Sequence, residues 1–178
     1  MKFVETKIPG CFTIDPSIFN DNRGIFVKTF RCEEFINHGL EHVFKENYYT
    51  LSKKDVIRGL HFQLPPYDHA KVVSTMKGAA IDVILDLRRD SPTFRHHITV
   101  ELSEDNHKLI YIPRGCAHGF ITLVDDTCMS YLQTSDYSQE SDVGILFTSL
   151  AIDYKIDSPI ISNRDLSFPQ LEQFESPF

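Results

Sequence analysis

Two segments of the sequence place a histidine close to arginine and glycine, where acid–base chemistry is conceivable. Residues 58–63 (RGLHFQ) contain His61, and residues 113–120 (PRGCAHGF) contain His118. The imidazole of histidine titrates near neutrality and can take up and release protons at physiological pH. A single histidine is more often structural than catalytic, so a catalytic function requires further groups nearby.

The second segment also carries a PxGxxH pattern that ends at His118. This pattern is the second half of the metal signature of cupins, which are jelly-roll proteins. The first half requires two histidines two residues apart, whereas Phe62 and Gln63 follow His61. A zinc or transition-metal site needs three or four nitrogen, oxygen or sulfur ligands, and two histidines fall short. The sequence therefore predicts a cupin-like barrel that has lost its metal.

A barrel of this kind could use its histidine to remove a proton next to a ketone. Charge then develops on the ketone oxygen as an enolate, and a fixed cation must stabilise it. Lys71 is the candidate cation, because it lies ten residues after His61 at the start of a predicted strand. Tyr131, in the middle of another predicted strand, is the candidate acid that returns the proton from the opposite face. A lone lysine is more typical of the surface, and a lone tyrosine of the core or its rim. The hypothesis therefore depends on His61, Lys71 and Tyr131 lying together.

Short strands must position these groups. Six segments rich in β-branched and apolar residues, separated by turn signals, are predicted strands. They are residues 71–76, 80–87, 97–102, 108–112, 118–123 and 128–133. A short helix is predicted at residues 32–38, before Gly39, and the proline-containing tail from Asp157 is expected to form loops with short helical turns. The pattern favours an all-β, cupin-like jelly-roll sandwich or barrel with a few short helices, forming one domain over residues 1–178.

Composition narrows the class of protein further. The chain has 178 residues, 42% of them hydrophobic and 24% charged, as is typical of a globular protein. The formal net charge of −7 disfavours nucleic acid as a partner. No apolar run is long enough to span a membrane, and the first residues have no signal-peptide core, so we expect a cytoplasmic protein without a membrane partner. The four cysteines form no CxxC pair and are expected to be reduced.

Several motifs, in order, resemble the nucleoside-diphosphate-4-keto-6-deoxyhexose epimerases, the dTDP-4-dehydrorhamnose 3,5-epimerase family. The resemblance extends from about residue 6 to about residue 170. The matching motifs are residues 21–26 (DNRGIF), 58–63 (RGLHFQ), 71–73 (KVV), 82–83 (DV), 86–88 (DLR), 90–94 (DSPTF), 112–120 (IPRGCAHGF) and 161–165 (ISNRD). Each motif alone is weak, but together they match at corresponding spacing through Tyr131.

The resemblance implies a role for each matching residue. His61 would be the base that removes the proton beside the C4 ketone, and Asp165 would orient His61 and stabilise its cationic form. Lys71 would stabilise the enolate oxygen, and Tyr131 would donate the proton on the opposite face. The resemblance also implies a jelly-roll homodimer without metal or organic cofactor, in which strands and pocket residues are exchanged between subunits.

A second group of residues would bind the substrate, a nucleoside-diphosphate-4-keto-6-deoxy sugar. Arg23 and Arg58 would hold the diphosphate, because planar guanidinium groups suit oxygen anions. His118 would lie in the substrate pocket near Lys71. The remaining expected substrate-binding residues are Phe26, Lys28, Glu46, Tyr48, Gln63, Asp142 and Arg164.

The sequence departs from the family pattern in the expected substrate-binding shell, while the acid–base residues are kept. Lys28 replaces a glutamate, Glu46 and Tyr48 replace a Gln-x-Asn pair, Asp136 with Tyr137 replaces a base-stacking aromatic, and Tyr154-Lys155 replaces a Trp-Pro pair. These changes leave open which nucleotide and which sugar are bound, and whether C3 alone or C3 and C5 are inverted.

The leading hypothesis is therefore an isomerase, a sugar-nucleotide epimerase that supplies deoxysugars for surface polysaccharides such as lipopolysaccharide O antigen or for another glycosylated product. The alternatives are a keto-isomerase on the same substrate class, a non-catalytic sugar-nucleotide-binding cupin, and a metal-dependent cupin enzyme. The presence of Asp165, Lys71 and Tyr131 favours the epimerase, and the missing histidine pair disfavours the metal enzyme.

Overall fold

A computed structural model describes residues 1–153 and 156–178 of the chain. The Tyr154-Lys155 departure noted above lies outside the described residues. The strands are β1 (Lys2–Glu5), β2 (Phe12–Asp15), β3 (Ser17–Asp21), β4 (Gly24–Lys28), β5 (Glu46–Ser52), β6 (Val56–Gln63), β7 (Lys71–Lys77), β8 (Ala79–Asp86), β9 (His97–Ser103), β10 (Leu109–Ile112), β11 (Cys116–Thr122), β12 (Thr127–Gln133), β13 (Asp142–Gly144) and β14 (Ile160–Ile161). The α-helices are α1 (Cys32–Asn37) and α2 (Asn163–Leu166), and the 3-10 turns are Phe147–Ser149 and Leu171–Gln173.

Most strands form two antiparallel sheets. The first sheet has the order β1-β2-β10-β7-β12-β5, and the second has the order β13-β6-β11-β8-β9, with β14 added in parallel to β6. Neighbours such as β7 and β10, or β8 and β11, are far apart in sequence, so the chain passes repeatedly between the sheets. Strands β3 and β4 form a separate hairpin that pairs with no other described strand.

Apolar residues from both sheets pack between them. Val73 of β7, Ile110 of β10 and Met129 of β12 come from the first sheet, and Ile84 of β8 and Phe120 of β11 come from the second. Successive strand residues point to opposite faces, so neighbours in the same strands point away from this inner layer. The inner layer therefore makes the protein a β-sandwich.

The outer faces of both sheets are covered as well. Helix α1 places Phe35 over the first sheet against Val72 and Tyr111, and the C-terminal segment covers the second sheet around Leu85 and Ile121. Removing a phenylalanine of this size from water contributes roughly 1.5–3 kcal/mol. Strands β7, β8 and β11 are therefore apolar on both faces, which explains why they read as continuous apolar runs.

Strands β6 and β11 approach each other unusually closely, and two glycines allow it. A Cβ atom on Gly59 would lie 2.6 Å from the Cα of Gly119 and 2.9 Å from the carbonyl oxygen of His118. Gly59 also has a φ of 119°, a conformation that other residues rarely adopt. The register shifts between His118 and Phe120 at this point, while His118 stays paired with His61. The crossing therefore sets the two site histidines side by side.

The structure confirms the strands that were predicted from the sequence. All six are present, with ends displaced by no more than two residues, and the predicted helix is α1. The tail from Asp157 contains α2 and a 3-10 turn, as expected. The prediction did not identify the short strands β1 to β4, or β13 and β14, because two to five residues with mixed polarity give little periodicity. It also did not identify the longer strands β5 and β6.

Among the described residues, no helix is long and apolar enough to cross a membrane.

The glycine crossing gives a prediction about stability. We expect Gly59→Ala to lower the free energy of unfolding by about 2–4 kcal/mol, because the added methyl both strains the backbone and overpacks the strand contact. Gly24→Ala is the matched control, since Gly24 has a φ of 123° but open space around its Cβ position. It should lose only about 1–2 kcal/mol. Urea unfolding measures both variants, and equal losses would show that the strand contact is unimportant.

Candidate active site

A cavity of about 370 Å³ opens between the two sheets. Its walls come from β5, β6, β7, β11, β12, β13 and α2, together with two loops. The lining residues are Glu46, Tyr48, Thr50, Arg58, His61, Phe62, Gln63, His69, Lys71, His118, Gly119, Phe120, Tyr131, Gln133, Tyr137, Asp142 and Arg164. Ten of the fourteen residues predicted from the sequence therefore line one cavity, although they are spread over more than a hundred positions of the chain.

His61 lies on one wall and is hydrogen-bonded to a buried carboxylate. Its Nε2 atom is 2.9 Å from Oδ1 of Asp165, and the other carboxylate oxygen accepts the backbone N–H of Gly59 at 3.0 Å. A carboxylate accepts a hydrogen bond from N–H, so this contact assigns the proton of the neutral ring to Nε2. Nδ1 then carries the lone pair and is the basic nitrogen of His61.

The short helix α2 places Asp165 behind His61. Ser162 caps this helix, and its side chain accepts the backbone N–H of Asp165 at 3.1 Å. Burial by itself raises the pKa of the Asp165 carboxyl, but hydrogen bonds from His61, Gly59 and Ser162, together with the charge of His61, hold that pKa below its ordinary value. Asp165 is therefore an anion that can stabilise His61 after it takes up a proton.

Lys71 begins β7 and is buried within the site. Burial lowers the pKa of its ammonium group from 10.5 to about 8, although the carboxylates of Asp142 and Asp82 act in the opposite direction. Among the described residues, none forms a hydrogen bond or salt bridge with this ammonium. Lys71 is therefore charged at neutral pH and available to an oxygen anion in the cavity.

Tyr131 of β12 has its ring almost fully buried in the cavity wall. Its hydroxyl lies 3.5 Å from Oγ1 of Thr50, and its ring packs face to face with Tyr48 and edge-on to His118. Burial raises the pKa of the Tyr131 phenol far above its ordinary value, with the negative charge of Asp82 acting in the same direction. The phenol therefore keeps its proton at any physiological pH and is suited to be an acid.

A second histidine–carboxylate pair lies deeper in the sandwich. Nε2 of His118 is 2.8 Å from Oδ1 of Asp82, and both side chains are buried. Burial raises the pKa of the Asp82 carboxyl, against the influence of His118 and Lys71. Its other oxygen, Oδ2, has no hydrogen-bond partner among the described residues. This pair fixes the ring of His118 at the cavity wall.

Charged residues lie around the rest of the cavity. Arg58 donates through Nε to Ser52 at 3.1 Å, which leaves the outer edge of its guanidinium group for a ligand. Arg164 forms a salt bridge of 2.7 Å with Asp142 and lies over the ring of Phe168. Two cations at the cavity wall give a place where an oxygen anion can bind.

Three predicted substrate-binding residues do not join this cavity within one chain. Arg23, Phe26 and Lys28 belong to the exposed β3–β4 hairpin, and Arg23 and Phe26 line a separate surface depression there. Arg23 is paired with Asp21 at 2.6 Å in the hairpin turn. The fold of a single chain therefore does not bring these three residues to a substrate in the cavity.

The sequence analysis missed several residues of the site. His69 lines the cavity, and its pKa is lowered to about 3 by burial and by the charge of Lys71, so it is neutral. Thr50 also lines the cavity, and Phe168 packs edge-on to His61 at 5.6 Å between ring centres. No motif in the sequence distinguishes these residues.

The aromatic position near the end of β12 also differs from the expectation. Asp136, which stands at that position in the sequence, pairs with Lys45 at 3.2 Å and does not line the cavity. Its neighbour Tyr137 lines the cavity instead, and the backbone N–H of Tyr137 donates to Glu46. The structure therefore places an aromatic ring at the cavity, one residue after the position where Asp136 replaces the family aromatic.

Within residues 1–153 and 156–178, no group of three or more histidine, cysteine or carboxylate side chains is arranged to hold a metal ion. Both site histidines are instead paired with single carboxylates.

Comparison with known proteins agrees with this geometry. The family signature described as dTDP-4-dehydrorhamnose 3,5-epimerase matches residues 5–173. The chain is 36% identical to a protein of that name from Shigella flexneri, over 94% of each chain. It is also similar to the crystal structure of this epimerase from Bacillus anthracis with TDP and PPi bound, with 39% identity, a TM-score of 0.91, and coverage of 96% of this chain and 99% of that one.

A third similar structure is that of an enzyme described as acting at one carbon only. The 3'-monoepimerase from Streptomyces bikiniensis, solved with dTDP-quinovose, has 29% identity and a TM-score of 0.88, and the match covers 94% of this chain and 86% of that one.

The all-β sandwich and its polar cavity define a cupin-like jelly roll, as the sequence predicted. More narrowly, the chain belongs to the dTDP-4-dehydrorhamnose 3,5-epimerase family.

Burial of Lys71 gives a prediction that needs no substrate. Lys71→Met should raise the free energy of unfolding at pH 7 by on the order of 3 kcal/mol. The pKa of Lys71 falls from 10.5 to about 8 on folding, which means that its charged form is less stable in the folded protein than in water. Between those two pH values the unfolded lysine keeps its proton while the folded one loses it. The wild type therefore gains stability with rising pH, and its difference from Lys71→Met should shrink.

Lys77→Met is the matched control, because Lys77 ends the same strand but is exposed beside Asp126. It should leave stability nearly unchanged. Urea unfolding at several pH values between 7 and 10.5 measures all three proteins. The assignment fails if Lys71→Met is no more stable than wild type at pH 7, or if its advantage does not depend on pH.

Proposed function

We propose that this protein is an isomerase that inverts C3 and C5 of a dTDP-4-keto-6-deoxyhexose. The observation that carries the proposal is that His61, Lys71 and Tyr131 line one cavity between the sheets, with Asp165 hydrogen-bonded to His61 from behind. Membership of the epimerase family supports the substrate class, and the similar structure with TDP bound supports the nucleotide.

The chemistry follows from the protonation states of the site. Neutral His61 takes the proton from the carbon next to the C4 ketone, and the electron pair of that C–H bond moves to form the enolate. Charged Lys71 stabilises the enolate oxygen, while Asp165 stabilises the protonated His61. Tyr131 then donates its proton to the opposite face of the same carbon, which inverts it. Returning a proton from His61 to Tyr131 through solvent restores the enzyme.

Inversion at both carbons is the proposal because C3 and C5 both flank the C4 ketone and are acidified alike. Relatives described as 3,5-epimerases are between 31% and 39% identical to this chain, whereas the 3'-monoepimerase is 29% identical. This difference in similarity supports the double inversion.

We further propose a homodimer in which the β3–β4 hairpin completes the site of a second copy. The hairpin exposes Phe19 and Phe26, each 59% accessible, and Ile25 at 57%. Apolar residues at this density on an isolated hairpin are typical of an interface. A second copy is the fitting occupant, because Arg23 would then join Arg58 as a diphosphate ligand.

The remaining proposals concern context. We propose that residues 1–178 work as one domain, which the family match over residues 5–173 supports. A cytoplasmic location is supported by four free cysteines, two of them buried. Supply of deoxysugars for surface polysaccharide is supported by the substrate class of the family.

Hydrogen exchange with heavy water tests the reaction directly. Wild-type protein incubated with dTDP-4-keto-6-deoxyglucose should incorporate deuterium at C3 and C5, measured by mass spectrometry and NMR. His61→Ala should slow exchange by about 10²- to 10⁴-fold, because it removes the base. Tyr131→Phe should keep the exchange while slowing inversion, because only the acid is lost.

Tyr67→Phe is the control for Tyr131→Phe, since Tyr67 lies in the loop after β6 and its side chain does not line the cavity. Deuterium at C3 alone would contradict the double inversion. Exchange at the wild-type rate in His61→Ala would remove His61 from the base role, and no exchange of the dTDP sugar by wild-type protein would contradict the proposed reaction.

Mixing of two defective variants tests the shared site. Arg23→Ala should raise KM, and His61→Ala should abolish turnover, so each is nearly inactive at low substrate concentration. Co-expressed together, half of random dimers are mixed, and one of the two sites in each mixed dimer is complete. Activity should therefore recover to about a quarter of wild type. Co-expression of Arg58→Ala with His61→Ala is the control and should recover nothing, because Arg58 and His61 line the same cavity. Recovery in neither pair would contradict the exchange of Arg23 between subunits.

A further inference from the structure

Two tyrosines on neighbouring strands of the first sheet stack face to face at the cavity. Tyr48 of β5 is the direct cross-strand partner of Tyr131 of β12. Their ring centres are 4.8 Å apart, and the ring planes differ by 14°. Directly opposed residues on an antiparallel pair are close enough for their side chains to interact throughout their length. Tyr48 therefore covers one face of the Tyr131 ring.

A chain of hydrogen bonds holds Tyr48 in this position. Its hydroxyl donates to Oε1 of Gln133 at 3.2 Å, and Nε2 of Gln133 donates to Oε2 of Glu46 at 2.7 Å. The other oxygen of Glu46 accepts the backbone N–H of Tyr137 at 2.8 Å. The outer end of the Tyr48 ring is thus tied to the loop that follows β12, as well as to its own strand.

Apolar neighbours bury the Tyr131 ring, but few other polar or ring contacts orient it among the described residues. Its hydroxyl forms one long contact of 3.5 Å with Thr50, and His118 meets its ring edge-on with centres 6.1 Å apart. A hydrogen bond at 3.5 Å orients a phenol weakly. The stacked ring of Tyr48 is the broadest of these three contacts with Tyr131.

We infer that Tyr48 is a positioning residue that fixes the ring plane of Tyr131 and thereby the direction from which its proton is delivered. The inference rests on the proposed epimerisation, in which Tyr131 is the acid. Tyr48 acts through Tyr131, so it belongs to the half of the reaction that follows proton removal. His61 removes the first proton. It lies on the second sheet and is held by Asp165 of helix α2, so that step does not depend on Tyr48.

The two half-reactions can be separated experimentally. Misplacing a reacting group by about 1 Å can cost about 10²-fold in rate, so loss of the stack should slow proton delivery. We expect Tyr48→Leu to slow inversion at least about tenfold, while hydrogen exchange from substrate into heavy water changes less than about threefold. Tyr48→Phe keeps the stacked ring and loses only the hydroxyl, so its ratio of exchange to inversion should stay near that of wild type.

The control is Tyr67→Leu, which makes the same exchange of side chains on the loop outside the cavity. Its ratio of exchange to inversion should equal that of wild type. A structural role for Tyr48 would lower stability and slow both steps equally, and a role in substrate binding would raise KM with the ratio unchanged. Either result overturns the inference.

A second measurement needs no substrate and separates the inference from the proposed function. Protein labelled with ¹³C in the tyrosine rings is compared by NMR, and Tyr131→Phe identifies the Tyr131 signals. Ring flipping of Tyr131 should be faster in Tyr48→Leu than in wild type and Tyr48→Phe. Equal flipping rates would overturn the inference even in an active enzyme. If flipping is faster in Tyr48→Leu but the wild-type protein exchanges no hydrogen from substrate, only the proposed reaction is overturned.

Discussion

The hydrogen bond between His61 and Asp165 joins parts of the chain that are 104 residues apart. Asp165 is almost fully buried, and burial of a carboxylate costs free energy unless hydrogen bonds satisfy its oxygens. His61 and the backbone of Gly59 supply those bonds, so β6 and the C-terminal helix α2 must meet at one point. The close crossing of β6 with β11, which only glycine permits, fixes where that point lies. The tail therefore belongs to the site as much as to the core.

The site concentrates groups that weaken a fold. Lys71 is charged in a buried position, Asp82 leaves one oxygen without a described partner, and His69 leaves its Nε2 likewise. Apolar layers on both faces of the two sheets offset this loss, with Phe35 and Phe147 among the fully buried side chains. The cavity wall thus combines a rigid β-sandwich with ionisable groups whose protonation states depend on burial and on their partners. Those states give each group a different role. His61 is a base beside the Asp165 anion, Lys71 is a cation, and Tyr131 is an acid that keeps its proton.

Local patterns predicted much of this structure, and their limits have a physical cause. The strands β7 to β12 and helix α1 were predictable because β-branched runs, turn residues and Gly39 act over a few neighbouring positions. Ten expected site residues line the cavity because the ordered motifs specify a known arrangement. Arg23 was expected to contact the substrate, yet within one chain it lies on a hairpin outside the cavity, and no local pattern reports where a hairpin points. Tyr137 was displaced by one residue because the turn after β12 decides which side chain faces inward.

The sequence by itself determined the kinds of groups available and the β-rich character of the chain, since residue type and alternation are local properties. It also determined that His61 and His118 are not part of a complete cupin metal signature. Only the tertiary structure decided that Nδ1 is the basic nitrogen of His61, that the pKa of Lys71 falls to about 8, and that Tyr48 stacks on Tyr131. Each of these depends on burial or on a contact between distant strands. Such properties arise only when the two sheets close around the cavity.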